Sequence, residues 1–215
     1  TGKIDKTIEV VCNGFKTDDY LVKISDLINS GFENITPILD NYRELDKLTE
    51  SIDRTFDIGI RIAAEEEPKF EFYTSRLGIG YKDIIPYYSQ KIAEHPNARL
   101  KMLHFFINTG IKDTAYYWNE LYKCLRVYAR LKKIAPEVDS LNIGGGFPIK
   151  TSLNFDYDYQ YMVNEIVSQI KKFCLEEGVE EPNIYTEFGS FTVGESGGHL
   201  YKIISQKRQN DREKW

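Results

Sequence analysis

Short runs of β-branched and apolar residues alternate along the chain with longer stretches whose apolar positions recur every three or four residues. TIEVVCNG (7–14) predicts a strand from its β-branched content. DDYLVKISDLINSG (18–31) follows at helical spacing, with Asp18 as an N-terminal acid and Gly31 as a stop. NITPILD (34–40) is strand-like with Pro37 at its beginning, because proline has no N–H for a ladder. YRELDKLTESI (42–52) is helical and FDIGIRIAA (56–64) is a strand. Beyond a charged loop, KDIIPYYSQKIAEH (82–95) is mostly helix, with Pro86 suited to its first turn. RLKMLHFF (99–106) is again a strand. TAYYWNELYKCLRVYARLKKI (114–134) is a strong helix, since Trp118, Leu121, Leu125, Tyr128 and Leu131 share one stripe. DSLNIGGG (139–146) gives a strand running into a loop, and DYQYMVNEIVSQIKKFCLEEG (158–178) repeats the stripe through Met162, Ile166, Ile170 and Phe173. NIYTEFG (183–189) closes the series as a strand.

Six alternating strand and helix units predict an α/β fold with a parallel sheet, its strands buried on both faces. Two architectures fit the alternation: a doubly wound open sheet, or a (β/α) barrel with about six of its eight units. No linker composition marks a second domain. The expected layout is a partial barrel over 1–205 and a polar tail or linker over 206–215.

At 215 residues the chain is one large domain, and its 41% hydrophobic content suffices for a core. Acids and bases are interleaved around a net charge of −5, so no basic stripe points to nucleic acid. No apolar run reaches the roughly 18 residues of a membrane span, and the first residues do not resemble a signal peptide. Cys12, Cys124 and Cys174 are widely spaced and read as small buried residues of a cytoplasmic protein, not as a metal or disulfide set.

In both architectures ligands bind at the carboxyl ends of the strands. The sequence puts there Cys12, Asn13 and Gly14; Asp40 and Asn41; Arg61, with Ser75 and Arg76 a little later; His104, Phe106, Asn108 and Thr109; Gly144, Gly145 and Gly146; and Glu187, Gly189 and Ser190. Three consecutive glycines suggest close approach to the main chain, either by a phosphate or by a structural turn. Amides of Gly144–Gly146 with the hydroxyls of Thr109 and Ser190 would make a phosphate cradle. The spacing is not that of a dinucleotide fingerprint. Glu187 at the end of an apolar strand needs a cation, either a ligand or an arginine such as Arg61. His104 reads as a hydrogen-bonded core histidine, and Glu65-Glu66-Glu67 as a solvated loop.

Five segments then occur in one order: VVCNGFKTDDY (10–20), SRLGI (75–79), MLHFFINTG (102–110), LNIGGGF (141–147) and YTEFGSFTVGE (185–195). Together they resemble the barrel domain of the biosynthetic arginine decarboxylases, within the alanine racemase-like class. That resemblance implies pyridoxal 5′-phosphate bound at the mouth of a TIM-type barrel and removal of the carboxylate of a basic amino acid. It implies phosphate binding at Gly144, Gly145 and Gly146, and a pairing of Glu187 with the protonated pyridine nitrogen. It also implies a homo-oligomer, and a small-molecule partner, arginine, as substrate.

Departures from the family pattern are equally specific. The histidine that stacks on the cofactor ring is Phe106 here, which stacks without exchanging protons. The arginine of the family's E-x-G-R is Ser190, and its serine hydroxyl is Thr109. Neither Lys16 nor Lys150 matches the cofactor-anchoring lysine, which the family carries on the first barrel strand. The expectation is a segment of an arginine decarboxylase of polyamine synthesis, inactive alone. A regulatory homologue working through protein contacts, or another phosphate-binding barrel enzyme acting on a sugar phosphate, would share parts of the pattern.

Overall fold

The computed structural model describes residues 5–64, 77–107, 110–150, 154–198, 200–209 and 212–214. Its elements are β1 (Val10–Cys12), α1 (Asp18–Asn29), β2 (Ile35–Leu39), α2 (Tyr42–Ser51), β3 (Phe56–Ala63), β4 (Ile79–Gly80), α3 (Tyr81–Tyr87), β5 (Ala98–Phe105), α4 (Ala115–Lys132), β6 (Ser140–Asn142), α5 (Tyr159–Glu177), β7 (Asn183–Tyr185), α6 (Gly189–Val193), β8 (Lys207–Gln209) and β9 (Arg212–Lys214).

Six strands pair in parallel in the order β1-β2-β3-β5-β6-β7, with the two-residue β4 attached to β3. Each of the six lies beside its neighbour in sequence, so the sheet winds in one direction and has no switch point. That excludes the doubly wound alternative and leaves an incomplete TIM-type barrel, an open arc of six strands with helices between them.

Local chemistry sets the helix ends. The side chains of Thr17, Thr114 and Asp158 accept hydrogen bonds from the amides of Tyr20, Tyr117 and Tyr161, capping α1, α4 and α5. Gly178, at φ 65°, closes α5 in the left-handed conformation that costs glycine least. The predicted stripes face the sheet: Leu121, Leu125, Tyr128 and Leu131 of α4 are buried, as are Met162, Ile166 and Ile170 of α5. Cys174 shares the α5 face, with Phe173 packed beside it.

Three expectations change. Pro37 stands in the middle of β2, not at its beginning. It is opposite Cys12 at the end of the β1 ladder, and pairing with β3 starts only at Ile38, so its missing N–H falls where the ladder changes neighbour. Pro86 lies in the second turn of α3, because that helix already begins at Tyr81; the chain widens directly afterwards into a π-helical turn, Tyr88–Ile92. β7 is not buried on both faces: Asn183 and Ile184 are exposed on this edge strand. Within 206–215, the polar tail or linker of the sequence, β8 and β9 pair antiparallel. Among the described residues no helix is long and apolar enough to cross a membrane.

Candidate active site at the carboxyl ends of the strands

Strand register lines up Arg61, His104, Asn142 and Tyr185 side by side near the carboxyl ends of β3, β5, β6 and β7. A bulge makes this row. Ile58 pairs with Leu100 but Gly59 pairs with Met102, so Lys101 is an extra residue. Had Lys101 paired in register with Gly59, His104 would face Ile62 instead of Arg61.

Glu187, two residues beyond β7, leans over this row. Its Oε1 accepts hydrogen bonds from Nδ2 of Asn13 and from Nδ2 of Asn142, the latter at 2.7 Å. Nε2 of His104 lies 3.8 Å from the same oxygen. The Glu187 side chain is 38% exposed, so it stands at the rim with one end open to solvent or a ligand. His104 is only 2% exposed, and among the described residues neither ring nitrogen has a hydrogen-bond partner, in place of the bonded core histidine expected. Burial, reinforced by the positive charges of Arg61 and Lys16, holds its pKa down at about 3. The imidazole is therefore neutral despite the nearby carboxylate.

The glycine turn packs against that same segment. Gly144 and Gly146 have φ values of 69° and 111°, a region that disfavours side chains. A Cβ on Gly144 would come 2.8 Å from the carbonyl oxygen of Phe105, and one on Gly146 would come 2.8 Å from Cα of Gly110. At Gly145 it would run into the carbonyl oxygen of Glu187. Main chain from three loops thus meets here, and the amide of Glu187 donates to the carbonyl oxygen of Gly144 over 2.9 Å. The amide of Gly144 is taken by Oδ1 of Asn142 at 2.8 Å. Among the described residues, the amides of Gly145 and Gly146 have no partner.

An aromatic cluster backs the turn. Phe147 stacks on Phe188 with centroids 4.3 Å apart, and Tyr157, Tyr159 and Phe191 surround the pair. Because Phe147 follows Gly146 and Phe188 follows Glu187, this stack fixes the two functional segments relative to each other. Phe106 is half-buried, with the Arg61 guanidinium 5.8 Å from its ring centre. Ser190 is exposed in the short helix α6, and its hydroxyl makes no hydrogen bond among the described residues. Thr109, Asn108, Ser75 and Arg76 lie outside the described residues.

Behind Asn13, the Lys16 ammonium is buried and pairs with Glu44 at 3.0 Å. It also donates to the carbonyl oxygens of Gly14, at 2.8 Å, and Ile38. Glu44 accepts in addition from the amides of Lys16 and Asp40 and from the Asn41 side chain. Burial, followed by the Glu44 charge, raises the Asp40 pKa against the opposing pull of Arg61 and Lys16. A cavity of about 530 Å³ opens at the opposite, amino ends of the strands. Its cations are already matched, Arg54 by Glu33 and Arg99 by Asp57, so volume and chemistry disagree and the chemistry lies at the mouth.

Residues 7–194 match the family described as "Pyridoxal-dependent decarboxylase, pyridoxal binding domain". The chain belongs to this family. It is 26% identical over 217 residues to the biosynthetic arginine decarboxylase of Citrifermentans bemidjiense, a match covering 94% of the chain and 34% of that protein. The chain thus spans about a third of the length of the curated relatives it matches. Its fold superposes on the biosynthetic arginine decarboxylase of Campylobacter jejuni with a TM-score of 0.68 at 22% identity, covering 87% of this chain and 32% of that one. The lysine decarboxylase of Selenomonas ruminantium gives a TM-score of 0.66 at 20% identity, covering 87% and 46%. The resemblance drawn from the five segments holds.

The structure gathers Gly144–Gly146, Glu187 and His104 at the carboxyl ends of the strands, with Phe106 and Arg61 beside them. Asn142 was missed. As the middle residue of LNI it carries no local signal, and its importance comes from two partners, one of them 45 residues away.

Proposed function

We propose that the chain is the pyridoxal 5′-phosphate-binding barrel portion of a decarboxylase that converts arginine to agmatine in polyamine biosynthesis. The observation that carries this is Glu187: an acid at a barrel mouth, held by two side-chain amides and bonded through its backbone to the glycine turn.

The residues fit the cofactor. The amides of Gly145 and Gly146, with the hydroxyls of Ser190 and Thr109, would hold the phosphate; Gly144 contributes its conformation, since its own amide is engaged. Glu187 would face the pyridine nitrogen. Hydrogen bonds from Asn13 and Asn142 hold its Oε1 in place, where it could accept from a protonated ring nitrogen. Neutral His104 does not compete as a second cation. When bound, pyridoxal phosphate supplies a ring that accepts the electron pair left as carbon dioxide departs. Phe106 would lie against the ring face, and Arg61 beyond it adds positive charge at the mouth. With Ser190 where the family has arginine, phosphate binding rests on neutral donors.

Lys16 is engaged by Glu44 and does not serve as the cofactor's anchor. In this reading the chain alone gives no turnover, and the working enzyme is a cytoplasmic homo-oligomer that adds the anchoring lysine and further substrate contacts. In this layout 1–205 is barrel and 206–215 leads toward a β domain.

The test is carbon dioxide release by the protein that carries this barrel, with pyridoxal phosphate and arginine, ornithine, lysine or diaminopimelate in turn. Arginine is expected to be the preferred substrate, and Glu187→Gln to lower its rate at least 100-fold while the fold persists. Full activity in Glu187→Gln would refute the role of this acid. Cofactor binding without turnover of any of the four would favour a regulatory homologue.

A further inference from the structure

We propose that Asn142 is a positioning residue that ties the glycine turn to Glu187, so that one side chain sets the phosphate end and the ring-nitrogen end of the site together. The inference rests on the cofactor assignment made above and goes beyond it. Asn142 is 1% exposed and makes two bonds of opposite sense. Its Oδ1 accepts from the amide of Gly144 at 2.8 Å, and its Nδ2 donates to Oε1 of Glu187 at 2.7 Å. These bonds use both ends of one planar amide, so the two distances are not independently adjustable. Register places Asn142 between His104 and Tyr185, which fixes its backbone from both sides.

The backbone bond from Glu187 N–H to the Gly144 carbonyl closes a ring of contacts through the same three residues. Displacing the glycine turn therefore drags Glu187. Among the described residues Asn13 lacks this linkage: it donates to Glu187 and makes no bond to the glycine turn. The chemical consequence concerns the ring nitrogen. Asn142 holds Oε1 of Glu187 in a fixed place, where it could accept from a protonated pyridine nitrogen. With the Asn142 donor gone, that oxygen loses its fixed place opposite the ring.

The experiment uses pyridoxamine 5′-phosphate, which needs no anchoring lysine, and follows both its affinity and the absorption band of the ring-protonated form. Asn142→Leu is expected to weaken binding roughly ten- to hundredfold, the loss of a hydrogen bond to a charged group. It should also shift the bound spectrum toward the unprotonated ring. Asn13→Ala should give the spectral shift while changing the advantage of pyridoxamine phosphate over pyridoxamine less than twofold. Asn142→Leu should cut that advantage at least fivefold, because only it releases the glycine turn. Circular dichroism and urea unfolding report whether each variant is folded, and Asn142→Ser, a smaller change, serves if Asn142→Leu is not. The proposal is overturned if folded Asn142 variants weaken binding without moving the spectrum, or lose no phosphate advantage. Failure of the wild-type protein to bind the probe, or an unaltered spectrum in Glu187→Gln, would instead overturn the cofactor assignment.

Discussion

Replacing Gly146 with alanine tests whether the glycine turn is closed against main chain. Gly146 has φ of 111°, where an L side chain is strained. Holding a non-glycine residue in such a region costs about 1–3 kcal/mol. The new Cβ would also sit 2.8 Å from Cα of Gly110 and 3.3 Å from the amide nitrogen of Ile111. Both neighbours are backbone, so neither can rotate away as a side chain would. The amide of Ile111 is itself bonded to the Gly146 carbonyl at 2.9 Å, so separating the segments strains that bond as well. Overpacking of this kind adds about 1–3 kcal/mol, and because relaxation is shared the two terms do not sum fully. The expected loss is about 2–4 kcal/mol in urea unfolding at unchanged m value. Gly189→Ala, with nothing within 4 Å of its Cβ, is the control and should stay within about 0.5 kcal/mol of wild type. Equal stability of Gly146→Ala and wild type would refute the close packing of the turn on Gly110.

Other consequences are separable. Lys16→Met leaves the Glu44 carboxylate buried without its ammonium and strips a donor from Gly14 and Ile38, so urea unfolding should show a loss of about 3–5 kcal/mol; a loss below about 1 kcal/mol would contradict the buried pair. His104 has its folded pKa depressed from 6.5 to about 3, so the unfolded chain takes up its proton first as pH falls. Above 6.5 the group contributes no pH dependence; between 6.5 and about 3 it removes stability at up to ~1.4 kcal/mol per pH unit. His104→Gln should flatten the stability profile in that window, and an unchanged profile would refute the buried neutral imidazole. Burial raises the thiol pKa values of Cys12 and Cys174, and Cys124 is fully buried, so a thiol reagent should label none of the three quickly before unfolding.

Element types were legible because burial of a strand or of one helix face leaves a period in the sequence. The α4 and α5 stripes are the clearest cases, and both turned inward. Proline positions were less so: Pro37 depends on which neighbour the ladder serves at that point, and Pro86 on a helix start one residue earlier than the pattern suggested. The triple glycine announced a close approach of backbone, and the approaching groups include the backbone of Gly110 and Glu187. Glu187 stood out as an acid on an apolar strand, yet its partners did not. Asn13 lies 174 residues away, and asparagines in loops or at strand ends are too common to signal a pairing of that range. The bonded histidine expected at 104 has no partner among the described residues, because neither its row nor the bulge at Lys101 leaves a periodic trace. The five ordered segments carried the family by their order; of these, VVCNG, LNIGGG and YTEFG each run from a strand into the loop at its carboxyl end.

The most direct test of the account is the response of individual backbone amides to pyridoxamine 5′-phosphate, followed by nitrogen-15 NMR of the protein. The account predicts that the amide signals of Gly145 and Gly146 move on binding, and that pyridoxamine without phosphate leaves them in place. The Gly144 amide, engaged by Asn142, should move much less. Shifts confined to other regions, such as the Arg54 and Arg99 cavity, or no shifts at the glycine turn, would contradict the central claim that this barrel mouth is a pyridoxal phosphate site.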